Sequence, residues 1–285
     1  MSQLVTISNG VLTAQISSLG AEIQSIKKAD EELIWNGDPA FWTGRAPVLF
    51  PICGGLKDDK FVFEGKEYTL EKHGFARHKE FLVESAEEDS VTFLLSSDDE
   101  SLKSYPFENE LRITYTLIDN KVDVKYAVTN TGDKKMYFSI GAHEAYACPE
   151  GIEEYSLIFE EKEDLRHTHN EGNLLVREDE LVAENTNELP IKTKYFEIDA
   201  LILLGLKSRV VTLKNRKTGR KVILEFDGFD DFLVWTKPGA NYLCLEPWAG
   251  LPDFVDSDYD ITHKPEILEA DVGETVVKTH IITFE

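Results

Sequence analysis

The chain has 285 residues, with 53 acidic against 30 basic side chains and a formal net charge of −23. Such a surface repels nucleic acid and anionic lipid, so neither is an expected partner; it also disfavours a phosphorylated substrate unless cations gather locally. Hydrophobic residues make up 42% and aromatics 11%, enough for a packed core, and the length suits one large all-β domain or two smaller ones.

Cys53, Cys148 and Cys244 are scattered, and an odd count without a spacing pattern gives no disulfide framework. Buried thiols in a reducing cytoplasm are the expectation. The first residues, Met1-Ser2-Gln3-Leu4-Val5-Thr6-Ile7, lack the basic patch and apolar stretch of a secretory signal. No apolar run approaches the roughly 20 residues of a membrane helix, so a soluble cytoplasmic protein is expected.

Most of the chain has a period of two. Val5-Thr6-Ile7 and Leu12 to Ile16 flank Asn9-Gly10, a hairpin turn signal. Gly20 to Ile26 alternates, with Ala21, Ile23 and Ser25 on one face. Leu33-Ile34-Trp35 reads as a short strand and Asp38 to Trp42 as a turn. Phe61-Val62-Phe63 and Tyr68-Thr69-Leu70 bracket Glu64-Gly65-Lys66; Phe81 to Val83 and Val91 to Leu95 bracket an acidic turn. The cleanest pair is Leu111 to Ile118 with Lys121 to Asn130, each with four apolar residues on one face and joined by Asp119-Asn120, predicting a long antiparallel hairpin. Glu160 to Glu188 is acidic, Asn- and Glu-rich and poor in alternation, which predicts a surface excursion or lid. Strands return at Ala200 to Leu204, Val210 to Leu213, Lys221 to Phe226, Phe232 to Trp235, Tyr242 to Glu246 and Thr275 to Phe284. With turn signals every 8 to 12 residues, roughly, and nothing marking a boundary, the pattern predicts one all-β domain, a sandwich or barrel.

Three stretches carry the chemistry. Glu246 ends the apolar run Tyr242-Leu243-Cys244-Leu245 and precedes Pro247-Trp248. A carboxylate there is costly unless paired or functional, and burial beside a tryptophan would raise its pKa toward that of a neutral-pH acid or base; a structural ion pair is the alternative. His143 ends a strand at Gly141-Ala142-His143, where small neighbours leave room for a ligand, though a core histidine bonded to backbone fits as well. His73-Gly74-Phe75-Ala76-Arg77 places a histidine and an arginine about a shaped turn, and Arg45 precedes another apolar run. A rigid guanidinium suits hydroxyls or an anion. Trp248 and Trp235 could stack on a sugar, Trp235 fitting the core better. His167-Thr168-His169 and the Asp227, Asp230, Asp231 cluster have the wrong number or spacing of ligands for zinc or calcium sites. No phosphate-cradling glycine loop and no Gly-x-Ser-x-Gly elbow is present.

Taken in order, Gly20-Ala21-Glu22-Ile23, Gly44-Arg45 with Pro47 to Pro51, His73-Gly74-Phe75-Ala76-Arg77, Gly141-Ala142-His143, Asp199-Ala200-Leu201-Ile202 and Glu246 to Asp253 resemble the aldose 1-epimerase (mutarotase) family, and within it the LacX-like branch. The motifs span nearly the whole chain. The resemblance implies a galactose mutarotase-like β-supersandwich of large antiparallel sheets with a sugar cleft. It implies Glu246 as general base toward the anomeric hydroxyl, His143 as general acid toward the ring oxygen, His73 as a second histidine at that oxygen, and Arg45 as a hydroxyl anchor. Arg77 and Trp248 complete the expected substrate-binding set. Anomerisation needs an acid and a base and neither metal nor redox cofactor, so none is expected, and the partner is a small sugar bound by a monomer or homodimer. One departure stands out: the galactose mutarotases have Asn-His-x-x-Phe around the acid histidine, whereas this chain has Gly141-Ala142-His143-Glu144-Ala145-Tyr146. A hexose-6-phosphate 1-epimerase and a non-catalytic carbohydrate-binding protein are the alternatives.

Overall fold

The structure, a computed structural model, describes residues 2–285. Among these, the strands form one antiparallel sheet of fourteen, one of four and two of two. The four-stranded sheet runs Leu4–Ser8, Leu12–Ser17, Ile23–Lys28, Glu31–Glu32. The large sheet follows the order Ile140–Gly141, Tyr242–Ala249, Asp231–Trp235, Leu201–Leu204, Tyr155–Glu171, Val210–Asn215, Lys221–Glu225, Thr275–Phe284, Lys121–Asn130, Asn109–Ile118, Ser90–Ser96, Leu82–Ala86. Glu144–Ala147 also pairs with Tyr242–Ala249, and Leu174–Pro190 with Tyr155–Glu171. No helix is long and apolar enough to cross a membrane among the described residues.

Alternation sets register where one face is buried, because a slip of one residue would expose every apolar side chain. Asn109–Ile118 pairs with Lys121–Asn130 in unbroken register. It buries Leu111, Ile113, Tyr115 and Leu117 against Val122, Val124, Tyr126 and Val128. The Asn9-Gly10 hairpin forms as expected, with Ser8 opposite Thr13.

The strand expected from Gly20 begins only at Ile23, because Ala21 takes a φ of +49°, outside strand geometry. A register shift then follows beside Ile16 and both Ser25 and Ile26 are buried. The acidic stretch from Glu160 to Glu188 keeps largely to the surface but has regular structure. It is most of a long hairpin, Tyr155–Glu171 with Leu174–Pro190, whose register shifts at four places. Those irregularities erase the period of two, and with most of its side chains outside the core the pairing left no apolar alternation to read.

The strand Tyr242–Ala249 is buried at every position. Leu243, Leu245 and Ala249 belong to the main core, whereas Tyr242, Cys244 and Trp248 pack into two smaller clusters on the opposite face. A strand covered on both faces reads as a continuous apolar run, which is why alternation vanishes here. Glu246 falls in the series with Cys244 and Trp248.

Candidate active site

The face of Tyr242–Ala249 carrying Glu246 forms the floor of a cavity of about 250 Å³. This lies just below the range of about 300 to 1,000 Å³ typical for small-ligand pockets, room for one small molecule. Glu246 stands opposite Leu233 and Cys244 opposite Trp235 on the neighbouring strand, so Leu233 and Trp235 reach the same cavity.

His143 occupies the gap between Ile140–Gly141 and Glu144–Ala147, both paired with the Glu246 strand. The flanking pairs fix its height above the floor. Its Nε2 lies 3.4 Å from Glu246 Oε2, and both side chains are buried. Burial holds the imidazole basicity down to about 3. Burial also lifts the Glu246 carboxyl well above the carboxylate range, opposed by the nearby charge of Lys72. The Trp248 indole N–H lies close enough to ease that lift slightly, without a hydrogen bond of ordinary geometry. Trp42 and Trp235 flank the His143 ring at centroid distances of 5.2 and 5.7 Å.

His73 comes from a loop. Its φ is +68° and that of Gly74 is +65°. A β-carbon on Gly74 would fall on the Phe50 carbonyl, so the tight turn demands glycine. The Gly54 N–H donates to His73 Nδ1 at 3.1 Å. The imidazole proton therefore sits on Nε2, and burial keeps the ring neutral by driving its pKa well below the usual value. His73 and His143 stand edge to face, 5.9 Å apart.

Of the residues expected from sequence, Glu246, His143, His73, Arg77 and Trp248 all line the cavity. Arg45 does not, which corrects the expectation of a hydroxyl anchor there. Its guanidinium donates to the Gln24 side chain and, at 2.6 Å, to the Asn36 carbonyl. Its backbone N–H is held by Glu22 Oε1 at 2.8 Å. Arg45 joins the small sheet to the neighbouring loop. Arg77 faces the cavity with one hydrogen bond, to the Lys72 carbonyl at 2.8 Å, and its Nε is buried without a partner.

The cavity also contains Trp42, Lys72, Asn170 and Asn173, not singled out from sequence, and Asp199, which entered there only within the Asp199-Ala200-Leu201-Ile202 motif, with Trp235 on its wall rather than in the core. Lys72 Nζ lies 3.9 Å from Asp199 Oδ2. Lys72 adjoins His73, a usable signal. Asn170 and Asn173 come from the tip of the long hairpin, whose reach no local pattern encodes.

Among the described residues one group has metal-ligand geometry: His143, Cys244 and Glu246, with ligand atoms within 4.8 Å of one another. The thiol of Cys244 is raised by burial and by Glu246, which disfavours the thiolate a metal would need. His167 and His169 lie on the hairpin instead, and His167 Nδ1 accepts from the Ile202 N–H at 3.2 Å. All three cysteines are free and buried, in line with the sequence reading.

Comparison with known proteins places this site in context. A family model described as Aldose 1-epimerase matches residues 3–276. Protein LacX (plasmid) of Lactococcus lactis subsp. lactis is 36% identical over 98% of this chain and 99% of its own. A galactose mutarotase related enzyme from Lactobacillus acidophilus superposes with a TM-score of 0.95 at 33% identity, over 99% of this chain and 97% of that one. A galactose mutarotase-like protein from Lactobacillus casei ATCC 334 gives 0.94 at 29%, over 99% and 100%. The large antiparallel sheets are those of the galactose mutarotase-like fold.

Proposed function

Since the chain belongs to the aldose 1-epimerase family, we propose that it interconverts the α and β anomers of a hexose by acid–base ring opening and closure. The observation that carries this reading is the His143–Glu246 pair, 3.4 Å apart and buried at the floor of a cavity walled by Trp42, Trp235 and Trp248.

The proton count suits the reaction. Burial holds His143 toward its neutral form and Glu246 toward its protonated form, so the pair is poised to carry one proton. Anomerisation takes one proton from the C1 hydroxyl and gives one to the ring oxygen, with no net change. Moving the resident proton from Glu246 to His143 creates the carboxylate base and the imidazolium acid. The charge of Lys72 favours that carboxylate while, with Arg77, it opposes the imidazolium; hydrogen bonds from sugar hydroxyls would favour the carboxylate further. Glu246 then accepts the anomeric proton while His143 protonates the ring oxygen. The ring opens, the C1–C2 bond rotates, and closure runs with the two roles reversed. His73 supplies a neutral Nε2–H donor beside the ring oxygen, and Arg77, Lys72, Asp199, Asn170 and Asn173 offer anchors for hydroxyls. The tryptophans suit the apolar C–H face of a pyranose.

A second reading has one observation in its favour. Among the described residues Arg77 pairs with no carboxylate, although the chain carries a net charge of −23. With Lys72 beside it on the cavity wall, an anionic substituent such as a hexose 6-phosphate would supply the missing charge.

Polarimetry of freshly dissolved α-D-glucose, α-D-galactose and glucose 6-phosphate tests both readings. Relaxation faster than the spontaneous rate, lost in Glu246→Gln, supports an epimerase, and the preferred sugar separates the two. No acceleration with any of them, together with retained sugar binding, would leave a carbohydrate-binding protein.

A further inference from the structure

Behind the cavity lies an ion pair that the reaction does not use. Lys264 Nζ stands 2.5 Å from Asp253 Oδ1, with both side chains almost wholly buried. Burying two ions costs several kcal/mol each, and apolar residues of similar volume often stabilise a core as well or better. Stability alone is therefore a weak account of the pair.

The remaining bonds of Asp253 suggest another. Its Oδ2 accepts from the Lys57 N–H at 3.0 Å. Its own N–H donates to the Gly55 carbonyl at 2.9 Å, and its carbonyl accepts from the Leu175 N–H at 2.8 Å. The first two bonds close the turn from Gly54 to Lys57. The third fastens the hairpin next to the tip that supplies Asn170 and Asn173 to the cavity. Gly54 in turn donates to His73 Nδ1, and the His73 N–H returns to the Gly54 carbonyl at 2.8 Å. Gly54 has a φ of +70° and packs so closely that a β-carbon would fall on the Pro252 ring. The turn is pinned between the residue preceding Asp253 and the catalytic loop.

We propose that Asp253, held in place by Lys264, is a positioning residue: it fixes the Gly54–Lys57 turn so that the Gly54 N–H occupies His73 Nδ1 and the imidazole presents its Nε2–H to the cavity. The catalytic consequence rests on the epimerase reading. The tautomer itself does not, and can be measured without an assay of turnover.

The test is a long-range proton–nitrogen correlation spectrum of the full-length ¹⁵N-labelled protein near neutral pH, with His73 assigned by its loss in His73→Gln. The expected wild-type spectrum shows an unprotonated Nδ1 and a protonated Nε2. Asp253→Leu combined with Lys264→Met removes both charges without stranding either, and should shift His73 toward a mixture of tautomers. Asp253→Asn with Lys264→Met retains an acceptor for Lys57 and should restore the single tautomer. Should the leucine variant not fold, Asp253→Ser with Lys264→Met, whose hydroxyl falls short of Lys57, serves in its place. A single Nε2–H tautomer in a folded leucine or serine variant overturns the proposal. So does an Nδ1–H tautomer in the wild type, and failure of both variants to fold would assign Asp253 to stability alone. Where the wild type accelerates anomerisation, the leucine variant should lower kcat by about 10- to 100-fold with little change in KM. If the wild type does not, the epimerase reading falls while the tautomer result stands.

Discussion

His143 Nε2 and Glu246 Oε2 face each other at 3.4 Å over a strand that is buried along its whole length. Two titratable groups so placed in a cavity of about 250 Å³ form a unit whose members should fail together.

Replacing either member should therefore remove most of the rate. Glu246→Gln keeps the shape and loses the base. We expect anomerisation to fall by about 10²- to 10⁴-fold, with sugar binding changed far less. The same substitution should stabilise the fold as pH rises. The carboxyl has a folded pKa well above its unfolded value, so its contribution is fully present below the unfolded pKa and is lost as pH climbs through the folded one. The amide has no such loss. Melting curves of the two proteins between pH 5 and 9 check this, and coincident curves would count against a desolvated Glu246.

The pH dependence of kcat/KM should be bell-shaped and displaced in opposite directions at its limbs. The acid limb marks a second proton arriving on the pair and belongs to His143, whose basicity is held at about 3. The alkaline limb marks loss of the shared proton from Glu246, above the ordinary carboxylate range. Relaxation rates measured from well below pH 3 upward locate both. An acid limb near the ordinary histidine value would mean that the pair is far more solvated than its burial implies.

The two arginines should separate cleanly. Arg45→Gln breaks bonds to Gln24 and Asn36 and should cost about 1–2 kcal/mol of stability while KM stays near the wild-type value. Arg77→Gln removes a guanidinium from the cavity wall and should raise KM with little change in melting temperature. A raised KM for Arg45→Gln alone would contradict the placement described above.

Asp231 opens the strand beside Glu246 and is buried, with neither carboxylate oxygen hydrogen-bonded in ordinary geometry. Burial, with the Glu266 carboxyl against it, pushes it up to about 9. Its folded pKa thus exceeds the unfolded one, so stability is fully present below about pH 4 and declines as pH rises toward 9. Asp231→Asn should be more stable than wild type at pH 8 by at least about 1 kcal/mol, the difference vanishing near pH 4. Urea titrations at the two pH values measure it directly.

Local pattern was enough for much of this protein. Alternation in Asn109–Ile118 and Lys121–Asn130 specified that hairpin, because a period of two with one buried face permits a single register. Glu246 and His143 stood out because each is a titratable group at the end of an apolar run, where burial is costly, but local pattern left structural roles open for both and only the family resemblance joined them into one site. His73 and Arg77 were singled out by the shaped turn His73-Gly74-Phe75-Ala76-Arg77, whose need for Gly74 only the packing against Phe50 reveals. Other features depend on residues distant in sequence. Arg45 and Arg77 look alike in their local contexts; only the packing of Gln24 and Asn36 around the first sends it away from the cavity. Trp235 reaches the cavity because its strand lies beside that of Glu246. The hairpin that brings Asn170 and Asn173 there left no readable period, since its register shifts repeatedly and few of its side chains enter the core. A sequence determines which side chains must be buried, through a solvation cost each residue bears by itself. Which buried or half-buried groups meet is settled only by strand order and register, where the energy belongs to pairs of residues far apart along the chain.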